Sequence, residues 1–196
     1  MSENTEWAVL TEAHEALRTA VRGVTAKGWS RPTPCAEWNV TQVLQHASGD
    51  QLGFAALITG GPTPTEDPFA PSGKVDGSPV DIAEAAMKAS AEAWSTVGHD
   101  VQEVAVPVPP GTLTAEMGVG ACALDAAVHA WDIAVATGQP SPLTAALARE
   151  LMPVATSIVE PLRMYGAYAP SIAAEDGDDE VAALLRYLGR RPDWAA

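Results

Sequence analysis

Basic residues are scarce in this chain: 11 Lys plus Arg stand against 25 Asp plus Glu in 196 residues, a formal charge of −14. A surface of that sign repels a phosphate backbone, which argues against nucleic acid as a partner. The densest basic stretch, Arg186 to Arg191, adjoins the acidic run Glu175 to Glu180 and suits a helix C-terminus better than a DNA-binding patch. Cysteine is nearly missing as well. Cys35 and Cys122 form neither a CxxC zinc motif nor a disulfide framework, so reduced thiols are expected. No stretch approaches the roughly 20 apolar residues of a membrane span. The opening "MSENTEWAVL" lacks the basic and apolar regions of a signal peptide, and a soluble, cytoplasmic protein without a membrane partner is expected. Aromatic residues are only 6% of the chain, and much of its 47% hydrophobic content is alanine, the best helix former. An all-α class follows, and the length suits a single domain over 1–196.

Helical spacing is what the chain has in plenty. Trp7, Leu10, His14, Leu17, Val21 and Val24 recur at intervals of three and four, the seam of a bundle helix that stops at "AKGWSRPTPC". Asn39 is placed to cap a second helix with Val40, Leu44, Ala47, Phe54 and Ile58 inward. A Gly- and Pro-rich loop follows it. Ser78 or Asp81 caps a third helix, whose small-residue stripe of Ile82, Ala86, Ala89, Ala93 and Val97 ends at Gly98. "EVAVPVPPGTLT" predicts an extended excursion, at most an edge strand pair. A fourth helix spans about Glu116 to Thr137 and stops at Gly138. A fifth begins near Leu143, with Pro153 and Pro161 predicting kinks or a break, and a last short helix ends at Gly189.

Three polar residues of the fourth helix occupy its oily side. At 100° per residue, Asp125, His129 and Asp132 point the same way as Ala121, Leu124, Val128 and Val135. Asp125 and His129 are four apart, so their side chains lie one above the other and can converge on one point. A buried lone carboxylate costs several kcal/mol unless paired, protonated or bound to a cation. One answer is a core network in which Asp125 or Asp132 orients His129. The other is a divalent metal, for which His46, at the border of the second helix's apolar stripe, supplies a third ligand across the bundle. Two imidazoles and one carboxylate leave positions open for a water or a thiol. His14 reads as a packed core residue and His99 as loop surface. Cys35 and Cys122 have no sequence-adjacent base and read as small buried thiols. Trp38 and Trp131 are pocket or core, and the acidic stretches around Glu66 and Glu175 are solvated surface.

"TPCAEWNVTQVLQHASGDQ", then "DAAVHAWDIAVATGQ", and the closing "LLRYLGRRPDW" together resemble the DinB-like superfamily. Within it the likeness is to the metal-binding domain of mycothiol-dependent maleylpyruvate isomerases and to single-domain proteins related to it. The resemblance implies a four-helix bundle with short accessory elements and a metal site matching His46, Asp125 and His129. Where the isomerase-like pattern has glutamate, this chain has Asp125, one methylene shorter. A second domain of the isomerase kind is not expected, so the isomerase substrate is not implied.

The function that follows is a metal-dependent thiol transferase or isomerase acting on a small electrophilic molecule. Zinc is the expected ion, nickel being one that recombinant purification can introduce, and Asp132 is expected to hydrogen-bond a ligand imidazole. Mycothiol or another low-molecular-weight thiol is implied by the resemblance alone, as is pairing into a homodimer. Metal-assisted hydrolysis would use the same ligands. The alternative is a non-catalytic binding or dimerisation module whose metal is structural or lost.

Overall fold

Cap chemistry sets most helix starts in the computed structural model, which describes residues 6–195 and so leaves Met1–Thr5 of the amino-terminal stretch outside. Asn39 opens α2 (Val40–Thr59) with a full capping box: its side chain accepts from the Gln42 N–H while the Gln42 side chain accepts from the Asn39 N–H. Ser78 caps α3 (Pro79–Trp94), with Pro79 in the first turn where its missing N–H costs nothing. Thr114 caps α4 (Ala115–Ala136), Thr144 caps α5 (Ala145–Met164) and Asp179 caps α6 (Glu180–Tyr187). Helix α1 (Ala8–Arg22) begins without a side-chain cap. Instead, the Trp7 indole beside its first turn donates to the carbonyl of Trp94 at the end of α3, joining the two helices.

Helices α1 to α4 form the bundle. α1 lies between α3 and α4, and α2 lies between the same two on the other side. The core includes Leu17, Leu44, Leu124 and Trp94, each at most 1% exposed. Each such leucine contributes about 1.5–3 kcal/mol through burial. α5 and α6 pair with each other, and α5 packs on α4, so the elements added to the bundle include a helix as long as α2. α4 is therefore enclosed on every side, with all residues from Gly118 to Ala134 buried. Small residues make that enclosure feasible: a Cβ on Gly120 would stand 2.6 Å from Cγ2 of Val154 in α5.

Three expectations change here. By length and composition α4 is apolar enough to cross a membrane, although no such stretch was expected; 94% of the qualifying window is buried inside the protein, as befits a central core helix. α5 runs unbroken through Pro153 and Pro161. Both prolines are exposed, so water can serve the carbonyls they leave unpaired, and the Thr156 and Ser157 hydroxyls donate to the Pro153 carbonyl. The third helix ends at Trp94 rather than running on to Gly98. Between α3 and α4, the proline-rich excursion forms an antiparallel pair, β1 (Val104–Ala105) and β2 (Thr112–Leu113), as its weak alternation predicts.

Candidate metal centre

Helices α2 and α4 lie side by side, and the polar residues on their facing turns meet. His46, Asp125 and His129 each offer one donor atom, all within 4.8 Å of one another, and all three residues are buried. Asp125 Oδ1 lies 3.6 Å from His46 Nε2 and 3.4 Å from His129 Nε2. The shorter aspartate therefore reaches both rings. The imidazoles stand nearly perpendicular, 89° between planes, with centroids 4.7 Å apart.

Each ring is held by its other nitrogen. His46 Nδ1 is 2.9 Å from the Pro68 carbonyl oxygen, which only accepts, so Nδ1 carries the proton there. His129 Nδ1 is 3.0 Å from Asp132 Oδ2, the contact expected of Asp132. Both Nε2 lone pairs are thereby left for the centre when the rings are neutral, the usual arrangement of metal-binding histidines. Asp125 Oδ2 completes the fit: it is buried, and with Asp50 ionised it has no hydrogen-bond partner among the described residues, the protonated Asp50 carboxyl being the group that hydrogen-bonds Asp125. Such an orphaned carboxylate oxygen carries a desolvation cost that a cation would offset. The donor set and its orphaned oxygen fit a divalent ion.

Charges around the centre follow from burial and proximity. Burial opposes a proton on His129, but the Asp125 charge and hydrogen bonding to Asp132 outweigh it, holding its pKa well above the usual histidine value. For His46, burial and the neighbouring His129 push the pKa down to about 4. Asp132 is fully buried, which would raise its pKa, yet the Arg190 guanidinium holds it far below the usual carboxylate range. That pair is bidentate: Arg190 Nε donates to Oδ1 at 2.9 Å and Nη2 to Oδ2 at 2.8 Å. The Cys35 thiol donates to the same Oδ2 at 3.2 Å. Cys35, His129 and Asp132 make a second close triplet, but Arg190 already neutralises its carboxylate. That triplet serves as support for His129.

Two participants were not legible from the sequence argument. Asp50 sits one turn after His46, its Oδ2 3.7 Å from His46 Nε2, and burial together with the Asp125 charge pushes its carboxyl well above the usual range. The signal was available, since His46 and Asp50 repeat the four-residue spacing of Asp125 and His129. Arg190 was read as part of a helix-capping basic stretch; it is instead 9% exposed and turned into the bundle against Asp132. Its neighbour Arg186 pairs with Glu175 and Asp178, so the acidic stretch there is partly engaged rather than merely solvated.

The centre opens into a cavity of about 620 Å³, walled by Trp38, Phe54, Phe69, Ile158, Leu162 and Tyr168. That volume falls within the range of small-molecule sites. Trp38 lies tilted against His46, ring centroids 4.8 Å apart and planes at 45°, whereas Trp131 is core. His14 is buried and hydrogen-bonded to Gln51 at 2.8 Å, consistent with a packed core residue. His99 is exposed, as expected, and pairs with Glu116. Cys35 lines the cavity, but Cys122 is fully buried among Ser90 and Gln51, and burial pushes its thiol up to about 12. A thiol-specific reagent is accordingly expected to titrate one cysteine quickly in the native protein and the second only on unfolding. Two equivalents reacting at one rate would contradict this assignment.

Two uncharacterized proteins of Mycobacterium tuberculosis, from strains CDC 1551 and H37Rv, are each 30% identical to this chain over 157 residues. The match covers 76% of this chain and 76% of each relative. No solved structure matches the chain significantly. Residues 10–134, which carry α1 from Leu10 onward, α2, α3, the strand pair and all three converging donors, match the family described as mycothiol maleylpyruvate isomerase N-terminal domain. An all-α bundle that brings a histidine of α2 against an aspartate and histidine of α4 thus belongs to the mycothiol maleylpyruvate isomerase N-terminal domain family.

Proposed function

We propose that His46, Asp125 and His129 bind a divalent metal ion, zinc by preference, and that the protein is a thiol-dependent transferase or isomerase acting on a small electrophile. The observation that carries this reading is the convergence of Asp125 Oδ1 with the Nε2 atoms of two imidazoles whose other nitrogens are already held. Two nitrogens and one carboxylate oxygen suit zinc and leave coordination positions free on the cavity side. A bound divalent cation there would act as a Lewis acid and lower the pKa of a thiol.

The chain's own residues do the rest. Asp132 accepts from His129 Nδ1–H and fixes the ring's tautomer, and Arg190 keeps Asp132 ionised. Phe54, Ile158 and Leu162 present apolar walls that exclude water from a bound electrophile. The family's description supports mycothiol, or a thiol of its class, as the cofactor.

Metal analysis of protein purified without a polyhistidine tag tests the assignment. About one ion per chain is expected, lost in His46→Ala and His129→Ala variants that retain helical circular dichroism. Metal-free wild-type protein whose melting is unchanged by chelator would leave a non-catalytic module.

A further inference from the structure

The ligand set proposed above accounts for three side chains, and a fourth stands against it. His46 and Asp50 in α2 repeat, in reversed order, the acid and imidazole one turn apart that α4 offers with Asp125 and His129. Each helix thus brings one ring and one carboxylate to the seam between them. Asp50 Oδ2 lies 3.7 Å from His46 Nε2, nearly the 3.6 Å that separates Asp125 Oδ1 from the same nitrogen. With metal–ligand bonds of about 2.0–2.2 Å, neighbouring donors on one ion stand roughly 3–3.6 Å apart, from six-coordinate to tetrahedral geometry. Asp50 therefore stands at close to ligand spacing from His46, just outside the group within 4.8 Å that His46, Asp125 and His129 form, and a side-chain shift toward a bound ion would bring it in.

Charge points the same way. Asp132 and Arg190 cancel each other. Among the described residues lining the cavity Arg190 is the one Lys or Arg, so once His129 gives up its proton to serve as a ligand the Asp50 and Asp125 carboxylates have no fixed cation left to face. Glu37, also at the cavity, is exposed and solvated. Two carboxylates and two neutral rings balance a divalent charge, whereas Asp125 alone would leave a net positive charge in a buried site. We infer that Asp50 is a fourth protein donor to the divalent cation, completing a site of two histidines and two aspartates. An ion held this way keeps room for a guest by taking five or six ligands.

The inference rests on the proposed metal site, and its test separates the two. Untagged apo-protein is titrated with Co²⁺ against a chromophoric chelator, and the visible absorption of the bound ion is recorded. Asp50→Asn, which preserves side-chain size, is expected to weaken Co²⁺ binding at least about tenfold and to alter the absorption band, with Asp50→Glu recovering more of both. If wild-type protein binds Co²⁺, His129→Ala abolishes binding, and Asp50→Asn keeps wild-type affinity and band, the role of Asp50 is overturned and the three-ligand site stands. If wild-type protein binds no Co²⁺, both fall. Circular dichroism of each variant confirms that folding is not the variable.

Discussion

Replacing Asp132 with alanine is expected to lower the free energy of unfolding by about 3–5 kcal/mol, the usual cost of removing one partner of a buried ion pair. The loss exceeds that of an ordinary core truncation of similar size because Arg190, buried and doubly bonded to Asp132, would be left as an uncompensated charge. In a chain of this length each kcal/mol moves the melting temperature by roughly 2–4 °C, so a drop on the order of 10 °C is expected by calorimetry. His129 loses its Nδ1 acceptor in the same variant, and weaker metal binding should accompany the instability. A double variant, Asp132→Leu with Arg190→Met, removes both charges and is expected to regain much of the stability without regaining the affinity. Near-wild-type melting of the single variant would mean that the pair is solvated rather than buried.

Metal affinity is expected to fall steeply as the pH drops below neutrality. In the metal-free protein the pKa of His129 is raised well above 6.5 and that of Asp50 well above 3.8, so each holds a proton in a pH range where the free side chain would have released it. An ion binding at this centre displaces those protons, which gives affinity that rises with pH until both groups are deprotonated. His46, with its pKa near 4, is neutral throughout and releases nothing above pH 6. With one proton displaced the affinity changes about tenfold per pH unit, and with two about a hundredfold. Calorimetric titration with Zn²⁺ at pH 6, 7 and 8, in buffers of different ionisation enthalpy, measures both the slope and the protons released. A flat profile across that range would show that these groups are not displaced.

The fold was legible in the sequence wherever local chemistry decides it. Asn39 followed by Gln42 announces a capping box, and the positive φ of Gly138 and Gly189, 74° and 77°, lies where glycine was expected to stop α4 and α6. The prolines of α5 did not break it, because whether Pro153 ends a helix depends on which face meets water, a property of packing rather than of the residue. At the site, Asp125, His129 and Asp132 stood out as polar residues on an oily face. Asp50 did not, because α2 is partly exposed beyond the bundle seam and an aspartate there needs no explanation until α4 is set beside it. Arg190 was hidden for a similar reason. Its partner lies 58 positions earlier, and no periodic pattern joins a loop residue to a helix so remote.

That remoteness orders the events of synthesis. Chains fold from the amino terminus as they leave the ribosome. α1 to α4 can therefore assemble early, but with Asp132 lacking its counter-charge until residue 190 has emerged. The late-arriving guanidinium then acts as a latch, neutralising a carboxylate that α4 has already drawn into the interior.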